Sequence, residues 1–246
     1  MMKTLRVIII LAIAGGSLIS CSTVEKNSST PEGAFAIAKE YDDGERFEEA
    51  TRRYTEVKNK FPYSNFATKA ELAIADVYYK QESFAEAQVA YQMFKELHPT
   101  VPNADYVQFR IGMSYFNQLP STIDRDLTQA NDAIFNLSEL IKKFPNSEYV
   151  TEAKEKRTAT IKMLAEKEEY IGDFYFKRKI YDSALGRYEG LFTTYKGLGF
   201  DEKALSRAAI CAYKIEDTPK YEKYRKLLSS EFPGSKQENE IMKEIK

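Results

Sequence analysis

The sequence predicts an all-α superhelical solenoid of about five helix–turn–helix repeats, and three observations predict it. The first is self-similarity. "FEEATRRYTEVKNKFP" at 47–62 returns as "FAEAQVAYQMFKELHP" at 84–99, with Phe, Ala, Tyr and Pro each recurring 37 positions on (47 to 84). A period of this size marks stacked supersecondary units. The second is a recurring triplet: Ile37-Ala38 with Tyr41, Ile74-Ala75 with Tyr78, Ile111-Gly112 with Tyr115, and Ile171-Gly172 with Tyr175. Positions i, i+1 and i+4 share one helix face, and the small residue lets a neighbouring helix approach closely. The third is punctuation. The stripes Ala50/Tyr54/Val57 and Ala87/Tyr91/Phe94 lie at i, i+4, i+7, and Pro62, Pro99, Pro145 and Pro233 close such segments. Proline disfavours helix at the residue before it.

The elements follow in order. Met1 to Arg6 carries Lys3 and Arg6, and Val7 to Ile19 is apolar apart from Gly15-Gly16-Ser17. About 13 apolar residues are too few to cross a hydrocarbon core of roughly 30 Å, so the stretch reads as an export signal. Leu18-Ile19-Ser20-Cys21 resembles the bacterial lipobox. In lipoproteins of that class the leader is cut before the cysteine, which carries acyl chains. The resemblance implies that residues 1–20 are removed and that Cys21 is lipidated; this covalent lipid stands in place of any cofactor. Each buried methylene contributes about 0.8 kcal/mol and a single acyl chain holds a protein only marginally, so durable anchoring needs several. Ser22 after the cysteine, by resemblance to enteric lipoproteins, permits transfer to the outer membrane. Residues 21–31 form a tether, and about 10 flexible residues reach roughly 17 Å.

Residues 32–237 hold the solenoid, with repeats at approximately 31–66, 68–103, 105–147, 148–200 and 201–235. Repeat three has Ala133 later than its period demands, and the extra residues fall in the loop "NQLPSTIDRD". Repeat four has neither proline nor glycine between Ser147 and Gly172, which predicts a first helix of about 30 residues. Repeat five is degenerate but keeps "AAICAY" and ends in "EFPGS". Residues 238–246 align with no repeat and read as a tail. The pattern resembles the tetratricopeptide repeat, whose unit is about 34 residues, stretched here by loops.

Composition excludes several classes of function. With 36 Lys+Arg against 37 Asp+Glu the chain has no basic footprint for nucleic acid. The single histidine, His98, takes the slot held by Phe61 and Phe144 in "KFP", so it reads as an aromatic closing a helix. No phosphate loop, nucleophile motif or zinc spacing appears, and the acidic residues are interleaved with Lys and Arg as on solvated helix faces. The expectation is therefore a non-catalytic protein without a metal. Of the two cysteines, Cys211 sits in an alanine-rich helical pattern and reads as a small buried thiol.

A solenoid presents a concave groove, and in tetratricopeptide folds the first helix of each repeat lines it. Projecting that register gives Phe35, Lys39 and Asp42 from repeat one. Repeat two gives Lys69, Leu72, Asp76, Tyr79 and Lys80, and repeat three gives Tyr106, Phe109, Arg110, Met113 and Phe116. This mixture suits an extended segment with alternate aromatic side chains and a terminal carboxylate, which Arg110 takes in a two-pronged hydrogen bond.

Three stretches go beyond a generic repeat protein: "FPYS" before a helix ending in "YYK"; "HPTVPNADYVQFRIGMSY"; and "DRD" followed by "FPNSEY" and a long helix. Over about residues 32–235 they resemble the BamD (ComL) outer-membrane assembly lipoproteins. The resemblance implies a subunit of the β-barrel assembly machinery on the periplasmic face of the outer membrane. Its partners would be the barrel subunit with periplasmic POTRA domains, unfolded outer-membrane proteins and other Bam lipoproteins. It further implies substrate recognition by the N-terminal repeats, including Tyr78-Tyr79. Barrel-subunit contact falls to the C-terminal half, with Asp124, Arg125, Asp126 and Arg187 as candidates. Tyr195-Lys196 departs from the Tyr-Pro usual there. The alternatives are a pilotin for a type IV pilus secretin, or an adaptor recruiting a peptidoglycan hydrolase.

Overall fold

Alanine, tyrosine and a branched or aromatic residue at i, i+4 and i+7 can bury a stripe only against another helix, and that is how the chain packs. The computed structural model describes residues 27–245, so the leader, Cys21 and the cut site lie outside the described residues. Those residues form α1 (Pro31–Asp43), α2 (Phe47–Lys60), α3 (Asn65–Lys80), α4 (Phe84–Leu97), α5 (Ala104–Asn117) and α6 (Ala130–Lys143). They continue with α7 (Val150–Lys177), α8 (Tyr181–Thr194), α9 (Asp201–Lys214), α10 (Thr218–Glu231) and α11 (Gln237–Glu244). There is no strand among the described residues. Each helix packs on the next, and the first helices of adjacent units also meet: α1 on α3, α5 on α7, α9 on α11.

Local signals set the helix ends. Thr30 accepts from the Gly33 amide at 3.1 Å, with Pro31 opening α1, and Ser64 accepts from Ala67 at 3.2 Å before α3. Such side-chain caps replace hydrogen bonds that the first helical turn lacks. Phe61, His98, Phe144 and Phe232 cap the C-termini of α2, α4, α6 and α10, each directly before a proline. The turns inside four of the five pairs place Glu45, Glu82, Lys179 and Glu216 in the left-handed region, with φ of 55°, 60°, 60° and 63°. The third pair lacks this turn, because the loop between Asn117 and Ala130 replaces it.

The core is a row of buried tyrosines whose hydroxyls require partners. Tyr91 donates to Asp76 at 2.6 Å and Tyr188 to Asp173 at 2.6 Å; Tyr54 approaches Asp42 at 3.5 Å. Each of these carboxylates comes from the first helix of the same pair. In the third pair the tyrosine position is Leu137, and the residue in register with Asp76 is Met113; both are buried together. Met113 was expected in the groove. It is a core residue, because an apolar Leu137 has no hydroxyl to satisfy. Phe109, also expected in the groove, is buried in the same cluster and stacks on Tyr149 at 4.8 Å.

The predicted long helix of repeat four is α7, at 28 residues. The segment read as a tail differs from expectation. Gln237–Glu244 forms α11, which packs on α9 with Ile241 fully buried, like the first helix of a further unit. Its signal is weak in sequence because a single branched residue anchors it.

Candidate functional site

The site is built from the register of two helices. On α5, Tyr106 and Arg110 are one turn apart; on α3, Asp76 and Tyr79 are likewise one turn apart. α4 packs against both α3 and α5, so the four side chains converge where its tyrosine reaches through. Asp76 Oδ1 accepts hydroxyl protons from Tyr91 and from Tyr106, both at 2.6 Å. Burial raises the Asp76 pKa above the usual carboxylate range, opposed by those hydrogen bonds and by the charges of Arg110 and Lys80. Burial, and then the Asp76 carboxylate, push the Tyr106 hydroxyl up to about 12.

Arg110 lies across the rings. Its guanidinium carbon is 4.4 Å from the Tyr79 centroid and 5.1 Å from that of Tyr106, within cation–π range. It makes no ion pair among the described residues, and its Nε is buried without a hydrogen-bond partner. Tyr79 is braced by Phe84, at 5.3 Å edge to face, and accepts from Asn117 Nδ2 at 2.8 Å. Tyr149 closes the wall 5.8 Å from Tyr106. A guanidinium held between aromatic faces has the chemistry to pair with a carboxylate, beside stacking surface for flanking side chains.

The remaining predicted residues divide into groups. Phe35 packs with Tyr54 and Phe66 at 5.2 and 5.6 Å, and Lys69 Nζ lies 4.8 Å over Phe66, a separate contact set at the α1–α3 end. Lys80 pairs with Asp42 at 2.7 Å and Lys39 with Asp43 at 2.5 Å, so none of these charges is unengaged. Leu72 and Tyr78 pack against the Ala87–Tyr91–Phe94 core, and Phe116 lies under Lys156 at 5.1 Å. The Asp76 carboxylate, predicted to face a ligand, instead holds two tyrosines. Asp124, Arg125 and Asp126 are exposed, and the Arg125 carbonyl accepts from Lys167 of α7 at 2.5 Å. Arg187 pairs with Glu168 at 3.1 Å. Asn117 and Tyr149 were not foreseen. Asn117 is two turns beyond Arg110 on the same face, which the helical period alone gives; Tyr149 arrives from the α6–α7 turn, which no local pattern reveals.

Among the described residues no helix is long and apolar enough to cross a membrane, and no cluster suits a metal ion. A family model described as "Outer membrane lipoprotein" (YfiO) matches residues 28–228. The outer membrane protein assembly factor BamD of Neisseria meningitidis serogroup B is 27% identical, over 95% of this chain and 93% of its own length. The protein of the same name from Buchnera aphidicola subsp. Acyrthosiphon pisum is 30% identical, over 72% of this chain and 76% of its own. Among solved structures, the TPR2AB-domain:pHSP90 complex of yeast Sti1 aligns with a TM-score of 0.46 at 14% identity, covering 86% of this chain and 81% of that one.

Proposed function

The chain belongs to the YfiO family of outer membrane lipoproteins, and from that premise we propose that it is an assembly factor for outer-membrane β-barrel proteins. In this reading the protein is non-catalytic. Lipid on Cys21 holds it at the periplasmic face of the outer membrane, and residues 22–31 tether the solenoid to that anchor. The N-terminal repeats receive unfolded outer-membrane proteins. The C-terminal half holds the barrel subunit through its POTRA domains, using Asp124, Arg125, Asp126 and Arg187, alongside other lipoproteins of the complex.

The observation that carries the receiving role is Arg110, a guanidinium seated between Tyr79 and Tyr106 that makes no ion pair among the described residues. An unfolded barrel strand alternates apolar and polar side chains, and a terminal strand adds a carboxylate. Tyrosine faces and a guanidinium that makes no ion pair among the described residues suit both. The test is affinity purification of the chain in mild detergent with mass spectrometry. A large outer-membrane barrel protein with repeated periplasmic domains is the expected companion. Recovery of a secretin, or of wall hydrolases, in its place would overturn the assignment.

A further inference from the structure

The Arg110 cradle has a copy. Shifting by 97 residues (76 to 173) carries Asp76 to Asp173, Tyr79 to Phe176, Tyr91 to Tyr188, Tyr106 to Lys203 and Arg110 to Arg207. The geometry is conserved with the register. Tyr188 donates to Asp173 at 2.6 Å, as Tyr91 does to Asp76, and Arg207 lies 4.2 Å over Phe176, as Arg110 does over Tyr79. The exchange of Tyr106 for Lys203 makes the second cradle more cationic; Lys203 pairs with Asp173 at 2.8 Å and Glu169 at 3.0 Å.

The two cradles differ in occupancy. Among the described residues Arg110 makes no ion pair, whereas Arg207 Nη2 holds Glu240 of α11 at 2.6 Å. That contact is imperfectly made. Arg207 Nε and Gln237 Oε1, one on each side of the α9–α11 junction, are both buried without partners, a condition that native interfaces mostly avoid. α11 has 8 residues and one fully buried side chain, Ile241. A helix so short has little stability of its own. Beside it a cavity of ≈ 290 Å³ is lined by Lys177, Lys179, Lys203 and Arg207 with Asp173 and Glu244; Lys203 and Arg207 are paired, and Lys177 and Lys179 make no ion pair among the described residues.

We propose that the Arg207 cradle is a second carboxylate-binding site, that Glu240 fills it from within the chain, and that an acidic amphipathic helix of a partner protein displaces α11 from it. The pattern the partner must present is the one α11 presents: a carboxylate followed directly by a branched aliphatic residue, here Glu240-Ile241, with more acidic side chains over the Lys177–Lys179 side. The site stands on its own geometry and does not depend on what the Arg110 cradle binds.

The probe is a fluorescent peptide of residues 236–246, titrated by anisotropy against the full chain. Ile241→Asp expels α11 and is expected to bind the peptide at least ten-fold more tightly than the unaltered chain. Adding Arg207→Gln, or replacing the peptide glutamates by glutamine, is expected to abolish the gain. Equal binding by Ile241→Asp and the unaltered chain would overturn the proposal, as would a gain indifferent to Arg207→Gln. Hydrogen exchange on the unaltered chain provides a second measurement that needs no variant. Amides of α11 are expected to exchange at least a hundred-fold faster than those of α9; exchange of both at one common rate would contradict a displaceable α11.

Discussion

The guanidinium of Arg110 rests 4.4 Å from the ring centroid of Tyr79, across the α3–α5 junction. It draws its position from aromatic faces and, among the described residues, from no ion pair. Removing it should therefore cost binding more than stability. A short peptide with aromatic residues at alternate positions and a free C-terminal carboxylate is expected to bind Arg110→Ala about ten-fold more weakly, the loss of roughly one charge-assisted hydrogen bond. Arg110→Lys is expected to restore little, because an ammonium has no planar fork. Unchanged affinity in the alanine variant would remove Arg110 from the site.

The buried hydroxyls predict a graded series. Tyr188→Phe removes the donor to Asp173 and should cost about 2 kcal/mol in urea unfolding, as for a hydrogen bond to a charged group. Tyr91→Phe should cost a similar amount, since each carboxylate keeps a second partner, Tyr106 on Asp76 and Lys203 on Asp173. Tyr91→Ala opens a cavity as well and should cost about 3–5 kcal/mol.

Asp76 and Asp173 occupy matching positions and are shifted in opposite directions. Burial raises both, but the Lys203 and Tyr188 hydrogen bonds bring Asp173 below the usual carboxylate range, whereas Asp76 remains above it. A lowered folded pKa means that the fold binds this proton less tightly than the unfolded chain does. The stabilisation from Asp173 is then present above the ordinary carboxylate value and disappears as pH falls through the folded one. Asp173→Asn is expected to destabilise the chain at pH 7 and to lose its effect as pH falls through the folded Asp173 value, below the ordinary carboxylate one. For Asp76 the sign reverses. Its charge opposes folding at neutral pH, so Asp76→Asn is expected to be milder at pH 7 than Asp173→Asn. Comparable losses from both at pH 7, persisting in acid, would contradict this.

Two glycines separate close packing from simple helix propensity. A Cβ on Gly112 would lie 2.7 Å from Leu137 Cδ2 and 3.2 Å from the Leu137 amide nitrogen, so Gly112→Ala should cost about 1–3 kcal/mol. A Cβ on Gly186 of α8 meets nothing within 4 Å, so Gly186→Ala should stabilise by about 0.5–1 kcal/mol. Thermal unfolding distinguishes the two signs.

The helix pairs were legible because alanine–tyrosine stripes and the prolines behind them are local signals, and local signals survive in one sequence. Groove assignment was less so. Tyr106, Phe109, Arg110 and Met113 all lie within two turns of α5, and a helix face inferred from period alone cannot tell the groove from the α6 side. The deciding fact was Leu137, which lacks a hydroxyl and so draws Met113 into the core. α11 was illegible for the reason that it is weakly held: one fully buried side chain, Ile241, one ion pair, Glu240 with Arg207, and a 3.5 Å bond from Ser206 to the Gln237 carbonyl join it to α9.

The central claim is that unfolded outer-membrane proteins are gripped in the groove beside Arg110. A photoreactive phenylalanine at Asn117, beside the Tyr79 hydroxyl, tests it most directly in living cells, with one at exposed Tyr63 as reference. Position 117 is expected to crosslink newly exported barrel proteins, and Arg110→Ala to remove those adducts while position 63 yields few. Equal capture at both positions, unaltered by Arg110→Ala, would contradict it.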